Sequence, residues 1–398
     1  MTRFLLRSLF AVSLVMCASS CSKDIEIKDR HTTPENQISF NVNAGSSTRG
    51  VDITTGNIRE LTATALWKES VDKTAVLYFN EVPFTRNGLS FVSDFPYYWP
   101  QKGVLDFYAF SPSVSDQVDY SSSGLNMFKV TPDDAAANQV DFIYANTNGK
   151  SKSALNNGIT YGLYGVPLNF RHTENKVTVK VKNSSETLKF NITGVRLAYL
   201  SKSGTFTYAT IKDNVKDEST DGSGTLNAWD WTFTGENEAP SVSNTYEQSF
   251  SEVAIQSGMS TATGLNGTTD WILLPQTVSM ATKYETEETG EPACGSYISL
   301  NVEIRNDDQN TDEDGKKGLL IYKGWAMWPV TFDWSPGYHY TYTVDLVGGG
   351  YYETNQENIN PGTADLDPIL DGALITFVPV DICQWENVNN DVDVIPLN

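Results

Sequence analysis

Few side chains in this sequence are placed to do chemistry. It holds three histidines, His31, His172 and His339, and four cysteines, Cys17, Cys21, Cys294 and Cys383. Their spacing matches no metal site. There is no phosphate loop of the Gly-Lys-Ser/Thr kind and no Gly-x-Ser-x-Gly elbow. A Ser-His-Asp site would have to recruit His172 or His339, and neither has a supporting context; His172 reads as a structural residue. Carboxylates are plentiful, with Asp and Glu together numbering 49, but nothing singles out two of them as a glycosidase-like acid and base. The run Asn310-Thr-Asp312-Glu-Asp314-Gly315 imitates the start of a calcium loop. Its twelfth position is Ile321 instead of glutamate, and strands flank it where helices should, so it reads as a charged hairpin tip. No catalytic, metal or cofactor residue is expected, and the chain does not read as an enzyme.

Cys21 is the exception. Met1 to Asp24 begins with Arg3 and Arg7, continues with an apolar run over Leu9–Met16, and reaches Ala18, Ser19 and Ser20 just before Cys21. A basic start, a short apolar region and a small-residue site describe a secretory leader. The run is too short to cross a bilayer of roughly 30 Å. The cysteine directly after the small residues makes the segment resemble a lipoprotein leader, whose cysteine is acylated as residues 1–20 are removed; the alternative is an ordinary secretory leader that happens to contain a cysteine. Each buried CH₂ of such a lipid adds roughly 0.8 kcal/mol, and more than one chain gives stable anchoring. Ser22-Lys23-Asp24 and Glu26 resemble the short charged signal that sends some lipoproteins to the cell surface. Of the remaining thiols, Cys294 and Cys383 either pair outside the cytoplasm or serve as small buried hydrophobes.

The elements behind these residues are strands. Of the 398 residues, 12% are aromatic and only 19% charged, and Tyr, Phe, Trp, Thr and Val fit pleated, half-buried surfaces. The formal charge of −21 excludes nucleic acid as a partner, since phosphate binding needs clustered Lys and Arg. It suits an extracellular protein kept soluble by self-repulsion.

Residues 21–36 form a polar tether. Ile38, Phe40 and Val42 then alternate with Ser39 and Asn41, a half-buried strand. It leads into Ala44-Gly-Ser-Ser-Thr-Arg49-Gly50, a small, exposed-looking segment of the kind proteases nick. Further strands are expected at 61–67, 75–79, 82–85 and 89–92, the last two joined by Arg86-Asn-Gly, a strong hairpin signal. Pro83 puts that arm at an edge or bulge. The apolar run 104–112 reads as the centre of a sheet, residues 113–138 as loops, and 140–145 as another strand.

A domain boundary is expected in the Asn-, Gly- and Ser-rich stretch 146–162. This gives an N-terminal unit over 37–162 and a C-terminal one over 163–398. The second contains strands near 166–172, 177–181, 188–199, 229–233, 271–274 and 338–346, and a long hairpin of 297–304 with 319–326. The end of the chain is rich in strand pattern again, over 373–380, 382–385 and 392–397. A dozen or more short strands with regular turns mean β-sandwiches.

Several stretches together resemble the fimbrillin family, subunits of lipoprotein-derived pili in some Gram-negative bacteria. They are the leader with Cys21; Ile38-Ser-Phe40 followed by Thr48-Arg49; Tyr98-Trp-Pro100 before Leu105-Asp-Phe-Tyr-Ala-Phe-Ser-Pro112; Leu168-Asn-Phe-Arg-His172; Leu274-Pro-Gln276; Trp334-Ser-Pro-Gly337 with Tyr340-Thr-Tyr342; and Gly348-Gly-Gly350 before a final β segment with Trp385. The resemblance implies two tandem antiparallel, transthyretin-like β-sandwiches. It implies a precursor anchored in the outer membrane by lipid on Cys21 and cut after Arg49 by a processing protease. The strand Ile38-Phe40-Val42 would leave, and the segment 373–397 of a neighbouring subunit would fill its place. Leu374, Thr376, Val378 and Val380 would form the donor face, with Ile375 and Phe377 on the other. Pro379 cannot donate to a ladder and implies a break or an edge there. Partners would be other fimbrillin subunits in a fimbrium, with host or bacterial surface ligands for adhesion.

The physics of that scheme is general. A lost strand exposes unpaired N–H and C=O groups and apolar pockets, a second chain can replace both, and a head-to-tail contact that does not close makes filaments. The alternative reading is a monomeric surface lipoprotein that stacks glycans on Trp229/Trp231 and Trp325/Trp328.

Overall fold

The computed structural model describes residues 36–43, 56–112, 118–120, 127–153, 155–156, 159–207, 231–233, 239–281, 295–306, 308, 310–311, 315–352, 369–370 and 380–384. Among them the chain is almost wholly strand, with helix confined to single turns such as Tyr161–Tyr164.

The N-terminal unit is one eight-stranded sheet. Its order across the sheet is Val166–Asn169, Phe40–Asn43, Ser90–Val92, Val76–Asn87, Glu60–Lys68, Val104–Ser111, Ile143–Lys150 and Arg171–His172. The two outermost members are consecutive in the chain, separated only by Phe170. The sheet therefore curls until its ends approach, and the fully buried Phe40, Leu61, Phe84, Phe107, Val166 and Leu168 fill the space inside. The expected break after residue 162 does not interrupt this sheet, because Val166, Leu168 and Phe170 carry their side chains into the first core. The strands expected at 75–79 and 82–85 are one strand, bent where Glu81 adopts φ 47° and the register with Ala63–Ala65 shifts. Pro83 lies in that bent stretch, away from Thr85–Asn87, which alone pair with Ser90–Val92.

The C-terminal unit is a two-layer sandwich. One layer holds Asn175–Lys182 between Thr263–Gly264 and Tyr338–Asp345, with Trp271–Leu273 also on Asn175–Lys182 and Asp381–Gln384 at the far edge. The other runs Ser241–Ile255, Leu188–Leu200, Tyr297–Asn306, Leu320–Pro329 and Tyr351–Tyr352. Val177, Val179 and Val181 of the first layer meet Ile192, Leu197 and Leu300 of the second. The expected long hairpin is present, from Tyr297↔Pro329 out to Arg305↔Leu320. Among the described strands two ladders depart from an antiparallel scheme: Phe40–Asn43 runs parallel to Val166–Asn169, and Asn175–Lys182 parallel to Tyr338–Asp345; the isolated bridge Met280↔Ser296 is parallel too.

Residues 113–138, expected as loops, hold two strands, Val118–Tyr120 and Met127–Val130, which join Gly204–Thr207 and Trp231–Thr232 in a small sheet. That sheet has an aromatic core of its own, in which Phe128 meets Phe142 at 5.2 Å and Phe206 meets Trp231 at 5.4 Å. Strands of three and four residues are too short to show alternation, and Met127–Val130 is tied into this sheet by the packing of Phe128 against rings from elsewhere in the chain.

Candidate functional site: the seat of the first strand

Ile38, Phe40 and Val42 lie in the N-terminal core, 0%, 0% and 8% exposed. Their alternation puts all three on the inner face, as period-2 geometry requires. Phe40 stands edge-on to Phe84 at 4.8 Å and to Phe107 at 5.2 Å between ring centroids. Fully burying three apolar side chains of this size stabilises the unit by about 5–9 kcal/mol, at roughly 1.5–3 kcal/mol each.

The strand is held on both edges. On one side the Trp99 amide donates to the Asn36 carbonyl at 2.9 Å and the Ile38 amide donates to Tyr97 at 2.7 Å, and then Phe40 and Asn41 pair antiparallel with Phe91 and Ser90. On the other side the Val166 amide donates to the Ser39 carbonyl at 2.8 Å, and Phe40–Asn43 pair in parallel with Val166–Asn169. Val166–Asn169 is the end member of the sheet, so Phe40–Asn43 is its one ladder partner among the described strands. Gly165, at φ +84°, brings the chain in against Ser39; a Cβ there would lie 3.0 Å from both the Ser39 carbonyl oxygen and Oγ. Removing residues 36–43 would uncover two strand edges and an aromatic pocket together.

The other sites named from the sequence fall as follows. Cys21, Arg49, Leu374, Thr376, Val378, Trp229, Cys294 and residues 312–314 lie outside the described residues. Val380 packs against the core of its own C-terminal sandwich, and the Asp381–Gln384 strand after it pairs with Tyr338–Thr341. That strand is a sheet edge with Ile382 57% exposed. Cys383 on it is a free, exposed thiol, which corrects the reading of a buried hydrophobe.

Three of the four tryptophans proposed as glycan platforms lie among the described residues, and none of the three is open to a sugar. Trp231, Trp325 and Trp328 are buried. The Trp231 indole N–H donates to the Thr173 carbonyl at 2.9 Å, and the Arg196 guanidinium covers the Trp325 ring at 3.7 Å. An indole face already occupied by the protein cannot stack a sugar. No group of three or more metal-ligating side chains occurs among the described residues.

A feature the sequence reading missed is the polar joint between the two units. Arg171-His-Thr-Glu-Asn-Lys176 is polar at every position and buried at every position. His172 Nδ1 meets Asp141 at 2.9 Å, while the Phe142 amide donates to Glu174 Oε2 at 2.9 Å and the Thr173 hydroxyl donates to the Phe142 carbonyl at 2.7 Å. Glu174 Oε1 is buried without a hydrogen-bond partner. Burial pushes the Glu174 carboxyl well above the usual carboxylate range; the Phe142 amide opposes that rise and the Asp141 carboxylate adds to it. Within the C-terminal sandwich, burial pushes the Asp345 carboxyl up, but bonds from the Ser184 hydroxyl, Lys182 and the Val347 and Ser184 amides outweigh it and hold the group below its ordinary value.

Fold and site together define an all-β protein whose opening strand is part of its core and is gripped on both edges. A family model described as fimbrillin-like matches residues 48–362, and the chain belongs to that family. No curated protein sequence matches it. Among solved structures it is similar to a candidate cell adhesion protein of Parabacteroides distasonis, with 12% identity and a TM-score of 0.42 over 89% of this chain and 98% of that one. It is similar also to a candidate cell adhesion protein of Bacteroides uniformis, with 13% identity and a TM-score of 0.40 over 88% and 98%. The tip fimbrial protein Mfa3 of Porphyromonas gingivalis, truncated at its C-terminus, aligns at 11% identity and a TM-score of 0.31 over 88% and 100%.

Proposed function

We propose that this protein is a structural subunit of a cell-surface fimbria. Its precursor is held in the outer membrane by lipid on Cys21. Cleavage after Arg49 releases the strand carrying Ile38, Phe40 and Val42, and the segment 373–397 of a sister chain, including Leu374, Thr376, Val378 and Val380, takes its place. The role is mechanical, not catalytic, and supports adhesion through the assembled filament.

One observation carries the reading: the opening strand is buried and laddered on both sides, so its loss creates a cleft that only another extended segment can fill. Backbone pairing supplies affinity in such an exchange, and side-chain pockets supply specificity. Each subunit both receives and gives, which yields a head-to-tail contact that does not close and therefore a filament. Membership of the fimbrillin-like family is consistent with this role.

The test is N-terminal sequencing of the mature protein taken from the cell surface, with unboiled gels run in parallel. Chains starting at Gly50 together with a ladder of polymers are expected. Recovery only of chains starting at Cys21, with no polymer, would refute the proposal.

A further inference from the structure

We propose that the incoming tail imitates the departing strand side chain for side chain, with Ile375 and Phe377 taking the places of Ile38 and Phe40. This rests on the strand-exchange reading above and adds the face and the register of the donor.

The cleft sets the requirement. Reading along the strand it presently holds, it takes Ile38 inward, Ser39 outward against Gly165, Phe40 inward between Phe84 and Phe107, and Asn41 outward. Ile38-Ser-Phe40-Asn-Val42 has one close counterpart in the tail, Ile375-Thr-Phe377-Val-Pro379. The aliphatic and aromatic side chains keep their order and spacing, and a hydroxyl residue separates them in both. The opposite face, Leu374, Thr376 and Val378, fits worse. It would put Thr376 where the Phe40 ring now sits, burying a hydroxyl among phenylalanine rings and leaving the space of the ring unfilled.

The same register fixes where Pro379 falls. The Ser39 carbonyl accepts from Val166, and N–H and C=O directions alternate along a strand. Odd-numbered residues thus turn toward Val166–Asn169, and Val42 turns toward the Ser90–Phe91 side. That antiparallel ladder ends at Asn41↔Ser90. Pro379, in the place of Val42, falls one residue past its last pair; the N–H of residue 42 closes the non-hydrogen-bonded pair Asn41↔Ser90, so the proline gives up that single bond at the end of the ladder. The donor then runs antiparallel to Ser90–Phe91 and parallel to Val166–Asn169, as the departing strand does.

The described part of the tail, residues 380–384, is lightly held at home. Asp381–Gln384 is an edge strand of four residues whose Asp381, Ile382 and Cys383 are exposed, so releasing it uncovers little apolar surface beyond Val380.

The test uses the full-length chain clipped with an arginine-specific protease and read as an SDS-resistant ladder on unboiled gels. Phe377→Asp is expected to reduce the ladder at least ten-fold, and Val378→Asp far less. Unfolding of each variant before clipping reports whether it is folded. A second readout avoids the charge substitutions. With Cys294 and Cys383 replaced by serine, Val378→Cys combined with Ser90→Cys should cross-link neighbouring subunits, because Val378 takes the place of Asn41 opposite Ser90. Cross-linking of Phe377→Cys to Ser90→Cys in its place would show the opposite face inward and overturn the proposal, while strand exchange itself stands. A normal ladder from Phe377→Asp would overturn it as well. If both aspartate variants abolish the ladder, the cross-link decides. Absence of any ladder from the unmodified clipped chain would overturn strand exchange and this proposal with it.

Discussion

Phe40→Ala is the sharpest probe of the first strand in the uncut protein. The ring is fully buried and touches Phe84 and Phe107 edge-on. Truncation removes its transfer energy and both ring contacts, and it leaves a cavity in a sheet closed around it. Core Phe→Ala changes cost about 3–5 kcal/mol, a large share of the ~5–15 kcal/mol typical of a folded domain. The C-terminal sandwich has its own core and serves as the internal reference. The assay is urea denaturation followed by hydrogen exchange, comparing peptides over 36–43, 90–92 and 166–169 with peptides over 188–200 and 297–306. The first set should lose about 3–5 kcal/mol of protection and the second under ~0.5 kcal/mol, since distant surface-like effects stay in that range. A loss below about 1 kcal/mol around residues 36–43 would show that the strand is not a structural part of the core. It would also remove the reason why an excised strand must be replaced.

Three further outcomes follow from the geometry. Gly165→Val forces a β-branched residue to φ +84° with its Cβ 3.0 Å from Ser39, and should cost about 1–3 kcal/mol by thermal unfolding, greatest for the segment 36–43. The folded Glu174 carboxyl keeps its proton above the pH at which the unfolded one releases it, so its contribution to stability falls as pH rises through the unfolded value of about 4.3. Glu174→Gln should therefore gain on the unsubstituted chain between pH 4 and pH 7 in urea titrations, and a constant difference across that range would contradict the assignment. At Glu303, burial pushes the carboxyl up, but Lys316 and Arg305, donating at 2.8 and 2.6 Å, outweigh it and hold the group below its ordinary value. That stabilisation is present above about pH 4.3 and is lost as pH falls below it, so Arg305→Met should flatten the acid limb of the stability curve, and an unchanged limb would count against the pair.

What was legible in the sequence is what is local. The alternation of Ile38, Phe40 and Val42 reports which face is buried whatever the partner strands are, and Arg86-Asn-Gly88 reports a hairpin from its own backbone preferences. The acidic charge is likewise read from composition alone. The fimbrillin-like assignment followed from several such stretches in order, and the family match over 48–362 agrees with it.

Only the tertiary structure decided what depends on distant partners. The parallel ladder of Phe40–Asn43 with Val166–Asn169, and the curling that makes one sheet of the N-terminal unit, join segments far apart in sequence. No local period encodes such a pairing. The polar run 171–176 is buried, because Asp141, Phe142, Trp231 and Leu273 meet it with hydrogen bonds and ladder pairs from elsewhere. Trp325 and Trp328, the sugar platform of the alternative reading, are buried because the other sheet of the sandwich lies over Trp328 and Arg196 over Trp325. Burial of a polar or aromatic side chain is a property of what packs against it, and that is set by the folded chain as a whole.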